Sequence, residues 1–134
     1  MQLEIKGNSY GLIWGTRAFR LAEKRLDMDM NEIFLSVTDE HVILALTYSA
    51  MLNWVQDRDE SADLPFTFTQ FENWLNEQPQ DVATKISEDY KASTLQGKSV
   101  SERYEELNAI YEAAEGTALN PGKPVKKKKL PSQK

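Results

Sequence analysis

The chain contains no cysteine and a single histidine, His41, among its 134 residues. The absence of cysteine excludes disulfide bonds and thiolate metal sites, and it is compatible with a reducing compartment. One histidine is too few for a multi-histidine metal site, and no serine, cysteine or carboxylate pair can be placed beside it as a catalytic partner. The sequence therefore predicts no catalytic, cofactor-binding or metal-binding residues, and we expect a protein that is not an enzyme.

Long apolar segments of the kind that target or anchor a protein are also lacking. The segment Met1–Ile5 shows no basic region followed by a long apolar stretch, so no signal peptide is expected. The longest apolar run, Val42–Val55, contains three polar residues and is too short to cross a bilayer. We therefore expect no membrane partner.

Positive charge is scarce in most of the chain. Residues 117–134 contain six lysines and no acidic residue, so the net charge of −5 for the whole chain leaves −11 for residues 1–116. Because affinity for duplexes comes mainly from cations placed against phosphates, nucleic acid is not an expected partner. An acidic body with a basic end indicates protein partners or simple solubility.

The remainder of the chain is organised around the apolar run Val42–Val55. This run has neither glycine nor proline and is too long for a typical strand, which predicts a helix. Thr38 is predicted to cap that helix. Because a helix that is apolar on most of its circumference must be covered on several sides, we predict a central buried helix in a small soluble domain.

The first fourteen residues predict a β-hairpin. Gly7-Asn8 suits a two-residue turn with glycine in the first position. Folding there places three apolar pairs on one face, namely Met1 with Trp14, Leu3 with Leu12 and Ile5 with Tyr10. A lone hairpin is marginal in water, so we expect this face to pack on helices.

Capping residues and apolar periodicity predict further helices at Arg17–Leu26, Met30–Val37, Gln70–Gln78, Gln80–Leu95 and from Ser99 to about Glu115. Two of them begin with the spacing of a capping box, Asp29 with Glu32 and Thr67 with Gln70, and Thr69 with Glu72 is a competing cap for the second. Gly116 is predicted to end the last helix. We therefore predict a predominantly helical α+β domain over residues 1–116, with the hairpin packed on five to six helices, and a disordered basic tail over residues 117–134.

Two surfaces are candidates for partner binding. The helix Arg17–Leu26 has a basic outer face, which indicates either a solvated surface or a docking patch. The last helix has an apolar stripe with spacings of three and four residues, which fits packing on the domain, self-association or binding to a partner. The candidate residues are Arg17, Arg20 and Lys24 on the first surface, beside Arg25, and Tyr104, Leu107 and Tyr111 on the second.

Four segments follow one another in an order typical of one group of proteins. The hairpin segment Leu3–Leu12 runs into the basic segment Phe19–Lys24, and Ala45–Ala50 in the apolar helix precedes Glu72–Glu77 in the threonine-capped helix. Across roughly residues 1–95, this order resembles the tail assembly chaperones of long-tailed bacteriophages and related prophages.

The resemblance implies a non-enzymatic role in the cytoplasm of a bacterial host. Such chaperones coat the tape measure protein, keep its apolar helical faces from aggregating, recruit tail-tube subunits and are absent from the mature particle. An amphipathic rod exposes stripes that associate wrongly unless they are shielded. Repeated copies along one rod would gain by multivalency, so a homo-oligomer is a further expectation.

The lysine run Lys126–Lys129 gains a second interpretation from the resemblance. In many such phages a ribosomal frameshift near the end of the chaperone gene produces a longer fusion with a tube-binding extension. Four consecutive lysines are encoded by adenine-rich codons, on which ribosomes slip. The simpler interpretation is a solubilising tail, and the nucleotide sequence distinguishes the two.

An alternative function is a small helical regulator that binds DNA or a protein partner. It would need a basic recognition helix, for which Arg17–Arg25 is the one candidate. The net charge of −11 over residues 1–116 argues against DNA.

Overall fold

The computed structural model describes residues 1–118, with side chains described through residue 113. In this part the chain forms, in order, β1 (Gln2–Ile5), β2 (Asn8–Gly11), α1 (Thr16–Leu26), α2 (Met30–Leu35), α3 (Glu40–Gln56), α4 (Phe68–Asn76), α5 (Gln80–Ala92), β3 (Thr94–Leu95), β4 (Lys98–Ser99) and α6 (Val100–Ala118). The predicted fold class is therefore confirmed: a mostly helical chain with an N-terminal hairpin. Two compact units are formed, Met1–Val100 and a second that begins at Ser101.

The central helix α3 is enclosed by its neighbours, as expected. Every residue from Leu44 to Met51 is buried, and α1, β2 and α4 all contact the helix. Its buried hydroxyls are satisfied, because Thr47 Oγ1 donates to the Ile43 carbonyl at 2.7 Å and Ser49 donates to the Ala45 carbonyl at 2.8 Å. Burial of polar residues in this helix therefore leaves no hydroxyl unpaired.

The residue that caps α3 is Asp39 rather than the predicted Thr38. The Asp39 carboxylate accepts hydrogen bonds from the backbone N–H groups of His41 at 2.9 Å and Val42 at 3.4 Å. Aspartate and threonine are both good N-cap residues, so neighbouring candidates cannot be separated by residue type alone. The capping boxes predicted at Asp29–Glu32 and Thr67–Gln70 form with both reciprocal hydrogen bonds, whereas the competing pair Thr69–Glu72 lies inside α4.

The N-terminal hairpin forms, but its predicted register is wrong by two residues. Leu3 pairs with Tyr10 and Ile5 pairs with Asn8, so the turn is Lys6-Gly7 and the three predicted apolar pairs do not form. Both turn residues have positive φ, 53° and 84°, as in a type I′ turn with glycine second. Because a shift of two residues keeps each side chain on its face, Leu3, Ile5 and Tyr10 are buried nonetheless.

A second hairpin replaces the end of the predicted helix Gln80–Leu95. Helix α5 stops at Ala92, and β3 pairs with β4. The turn between these strands, Gln96-Gly97, repeats the geometry of the first hairpin with φ values of 54° and 90°. Gly97, in the second position of this turn, therefore closes a hairpin within a segment for which no strand was predicted.

Other helix boundaries differ by about one turn or less. Helix α2 ends at Leu35 instead of Val37, and α4 begins at Phe68 instead of Gln70. Helix α6 continues through Gly116 to Ala118, since one glycine costs a helix only about 1 kcal/mol relative to alanine. Residues 117 and 118 of the predicted tail are thus helical, and the rest of that tail, residues 119–134, lies outside the described residues.

Candidate partner-binding surfaces

The outer stripe of α1 consists of Arg17, Arg20 and Lys24, and all three side chains are exposed. Residues three and four positions apart lie on the same side of a helix. Arg20 and Lys24 form no hydrogen bond or ion pair with the part of the chain that the structure describes, whereas Arg17 Nη2 donates to Gln56 Oε1 of α3. The stripe therefore carries three positive charges that have no anionic partner among the described residues.

Arg25 does not contribute to this stripe, although the sequence placed it on the same basic face. Its guanidinium carbon lies 4.7 Å from the ring centroid of Tyr48 and 5.1 Å from that of Phe68, which is cation–π geometry. The Tyr48 hydroxyl donates to the Phe66 carbonyl at 2.7 Å. Burial raises the pKa of Tyr48 from its ordinary value, and the positive charge of Arg25 partly opposes that shift. Arg25, although exposed, thus packs on two aromatic rings of the first unit.

The apolar candidates of α6 differ in exposure. Tyr111 is 48% exposed, while Tyr104 and Leu107 are half-buried. Ile110, which the sequence analysis missed, is 62% exposed. Leu107 lies one turn before both Ile110 and Tyr111, so the three side chains form one stripe, hereafter the apolar stripe of α6. The spacing of three residues from Leu107 to Ile110 was the signal that could have identified it.

Glutamate dominates the rest of the α6 surface. Residues 101–113 contain four glutamates and one arginine. Glu105 and Glu112 are both exposed, and a separation of seven residues places them on the same side of the helix. At about 100° per residue, that side points away from Leu107 and Ile110. We refer to Glu105 and Glu112 as the acidic face of α6.

An open cleft of about 360 Å³ lies in the first unit. It is lined by Met1, Leu12, Ile13, Trp14, Asp89, Ala92, Ser93 and Thr94. Asp89 is the titratable side chain among them. Its carboxylate accepts a hydrogen bond from Trp14 Nε1 at 2.8 Å and lies 3.5 Å from the Met1 amino nitrogen. The Asp89 carboxylate therefore already interacts with two groups that line the cleft, the Trp14 indole and the Met1 amino group.

His41, the single histidine, is an exposed residue of the first unit. Its Nδ1 atom lies 3.7 Å from Glu72 Oε2, and its ring packs edge-on against Phe68. Among residues 1–118, no three histidine, cysteine, aspartate or glutamate side chains are grouped closely enough to hold a metal ion. Within the same residues, no helix has the length and apolar character needed to span a membrane.

Neither protein-family models, curated proteins nor solved structures give a match to this chain. The resemblance to tail assembly chaperones therefore remains a prediction that depends on the order of the sequence segments alone.

Proposed function

We propose that this chain is a tail assembly chaperone of a long-tailed bacteriophage or prophage. In this role it binds the tape measure protein in the host bacterial cytoplasm, keeps it soluble, helps to recruit tail-tube subunits and is absent from the mature particle. It transforms no substrate. The order of the hairpin, the basic helix and the apolar helix supports the proposal, together with one structural observation.

That observation is the apolar stripe of α6. Large apolar side chains that lie together on a helix surface are typical of protein interaction sites. Leu107, Ile110 and Tyr111 follow the spacing with which one amphipathic helix packs on another. Full burial of an exposed side chain of this kind is worth about 1.5–3 kcal/mol, and each of these contributes less because Leu107 is half-buried and Ile110 and Tyr111 are 62% and 48% exposed. One copy would therefore bind weakly, and several copies along a repetitive helical rod would bind tightly through multivalency.

Recruitment of tail-tube subunits is assigned to a longer form of the protein. A frameshift at the codons for Lys126–Lys129 would append a tube-binding extension to the same domain. The proposal predicts uninterrupted adenines in those codons and an overlapping downstream reading frame. An interrupted adenine run without such a frame would remove this part of the proposal.

The chaperone role is tested by co-expression with the longest helical protein encoded beside this gene. We expect that protein to be soluble only in the presence of this chain. Ile110→Asp should abolish the effect because it places a charge in the apolar stripe. Leu35→Asp is a matched control, since Leu35 is 50% exposed and lies in α2. Solubility of the long protein without this chain, or equal loss with both variants, would contradict the proposal.

The alternative, a regulator that binds DNA, is favoured by one observation. Arg20 and Lys24 of α1 are exposed and have no anionic partner in the described residues. Duplex DNA should then bind at low salt with an affinity that falls steeply as salt rises, and the variant Arg20→Glu/Lys24→Glu should lose that binding. Absence of duplex binding at low salt would exclude this function.

A further inference from the structure

We infer that the outer stripe of α1 is a docking surface for the acidic face of α6 from a second copy of this chain. The inference concerns contacts between copies and does not depend on the identity of any other partner. The proposed contact has two halves. The first is the exposed cations of α1, and the second is the exposed carboxylates of α6, which have the same spacing.

The first half is held in a fixed position by the core. Ala18, Phe19 and Ala22, on the inner side of α1, are almost completely buried, and α1 packs on α3. Glu23 is the acidic residue within α1, and its carboxylate accepts a hydrogen bond from the Met30 backbone N–H at 2.8 Å. That carboxylate is therefore directed toward the start of α2. The backbone that carries the outer stripe is therefore fixed on the core, and Arg20 and Lys24 have no ion-pair partner among the described residues.

The second half is the acidic face of α6. Neither Glu105 nor Glu112 forms a hydrogen bond or ion pair within the described residues, and both are exposed. Between them lies Ala109, also exposed, whose small side chain permits close approach of another helix. This face is separate from the apolar stripe of α6, so a copy that uses one can use the other at the same time.

The spacings of the two halves match. Arg17 and Lys24 are seven residues apart, as are Glu105 and Glu112, and seven residues of helix extend about 10.5 Å. Two helices lying side by side can therefore form ion pairs at both ends of the contact, with Arg20 placed over Ala109. A polyanion such as DNA would instead meet a body whose net charge is −11 over residues 1–116.

The contact is heterologous, because the two copies contribute different surfaces. Each copy can therefore bind two neighbours, and repetition produces a ring or an open array. Each exposed ion pair contributes only about 0–1 kcal/mol. We therefore expect weak association that increases with protein concentration and is lost at high ionic strength, where the screening length falls well below about 10 Å.

Sedimentation velocity of the full chain over a concentration series tests this inference. At low salt the weight-average mass should rise with concentration, and at high salt the chain should be monomeric. Arg20→Glu/Lys24→Glu and Glu105→Lys/Glu112→Lys should each weaken self-association at least about tenfold. Lys6→Glu/Lys91→Glu is the matched control: both lysines are exposed, lie outside the stripe and change the net charge equally. This control should still associate.

Mixing the two charge-reversed variants is the decisive measurement. In the mixture, the reversed α1 of one variant faces the reversed α6 of the other, and the unchanged α1 and α6 also face each other, so the mixture should associate more strongly than either variant alone. Circular dichroism and thermal unfolding check that every variant is folded. A wild-type chain that stays monomeric at low salt, or a mixture that stays monomeric, would overturn the inference. Association abolished by Ile110→Asp and unaffected by the charge reversals would overturn it as well.

The outcome is separable from that of the co-expression experiment. A monomeric wild-type chain that still keeps a long helical protein soluble would contradict the docking inference alone. An associating chain without effect on that protein would contradict the chaperone proposal alone.

Discussion

At the scale of single residues, Gly11 shows how closely the hairpin approaches α3. A Cβ atom at this position would lie 2.8 Å from Cε2 of Trp54 and closer still to Nε1 and Cδ1 of the same indole. The indole is half-buried and packs edge-on against Tyr10, so it cannot move away freely. The glycine is thus required for packing rather than for an unusual backbone angle.

We expect Gly11→Ala to lower the free energy of unfolding by about 1–3 kcal/mol, because the added methyl group forces the indole or the strand to move. Urea denaturation measures the change. A double-mutant cycle provides the control: in a Trp54→Ala background the same substitution should cost much less. Equal losses in both backgrounds would show that Trp54 is not the obstacle.

Tyr48 combines a buried hydrogen bond with a shifted pKa. Removal of its hydroxyl in Tyr48→Phe takes away the donor to the Phe66 carbonyl, and we expect a loss of about 1 kcal/mol in unfolding free energy near neutral pH. Burial raises the folded-state pKa of Tyr48 above the ordinary value of 10.0, so the neutral hydroxyl is favoured in the folded protein. This contribution is complete below pH 10 and is lost as the pH rises through the folded-state pKa.

The stability advantage of the wild type over Tyr48→Phe should therefore shrink above pH 10. Urea denaturation of both proteins at a series of alkaline pH values measures it, and the difference between them removes the contribution of the other tyrosines and lysines. A constant difference across that range would show that Tyr48 ionises equally easily in both states.

At the scale of elements, both hairpins use a non-glycine residue with positive φ in the first turn position, Lys6 in one and Gln96 in the other. Asparagine accepts this conformation at lower cost than lysine does. We expect Lys6→Asn to raise the unfolding free energy by about 0.5 kcal/mol. Thermal unfolding measures the gain. Lys6→Val should have the opposite effect, since a β-branched residue resists positive φ, and stabilisation by valine would contradict the assigned turn.

Elements specified by local chemistry could be predicted from the sequence. The capping boxes at Asp29–Glu32 and Thr67–Gln70 involve residues three positions apart, so their spacing indicated them, although Thr69–Glu72 has the same spacing and lies inside α4. The hairpin register failed because Gly7 can occupy either central position of a two-residue turn, and only packing of the strand on α3 selects one. Strands of two residues, such as β3 and β4, are too short for an alternating pattern.

For the binding surfaces, too, features set by local sequence were predictable and features set by contacts between distant residues were not. Exposure of Arg20 and Lys24 followed from the amphipathic pattern of α1. The cation–π contacts of Arg25 with Tyr48 and Phe68 join residues that are far apart in sequence, so no local pattern could indicate them. Ile110 was missed because the spacing Tyr104, Leu107, Tyr111 already satisfied a helical stripe. Exposure of a side chain depends on what covers it, which the sequence does not show.

At the scale of the whole molecule, the buried core and the proposed binding surfaces of α6 lie in different parts of the chain. Every buried side chain in the described part lies between Leu3 and Val100. The apolar stripe and the acidic face, which carry the proposed contacts of α6, lie beyond that range. A substitution in the apolar stripe or the acidic face of α6 should therefore change association with partners far more than it changes folding.

A chain that ends at Tyr104 tests this assignment. It retains all the buried residues of the described part and lacks both proposed surfaces of α6. Because removal of exposed side chains has little effect on stability, we expect one cooperative urea transition with an unfolding free energy within about 1 kcal/mol of that of the full chain. The shortened chain should neither self-associate nor keep the long helical protein soluble. A loss of several kcal/mol, or a broad non-cooperative transition, would show that the part of α6 beyond Tyr104 contributes to the folded core.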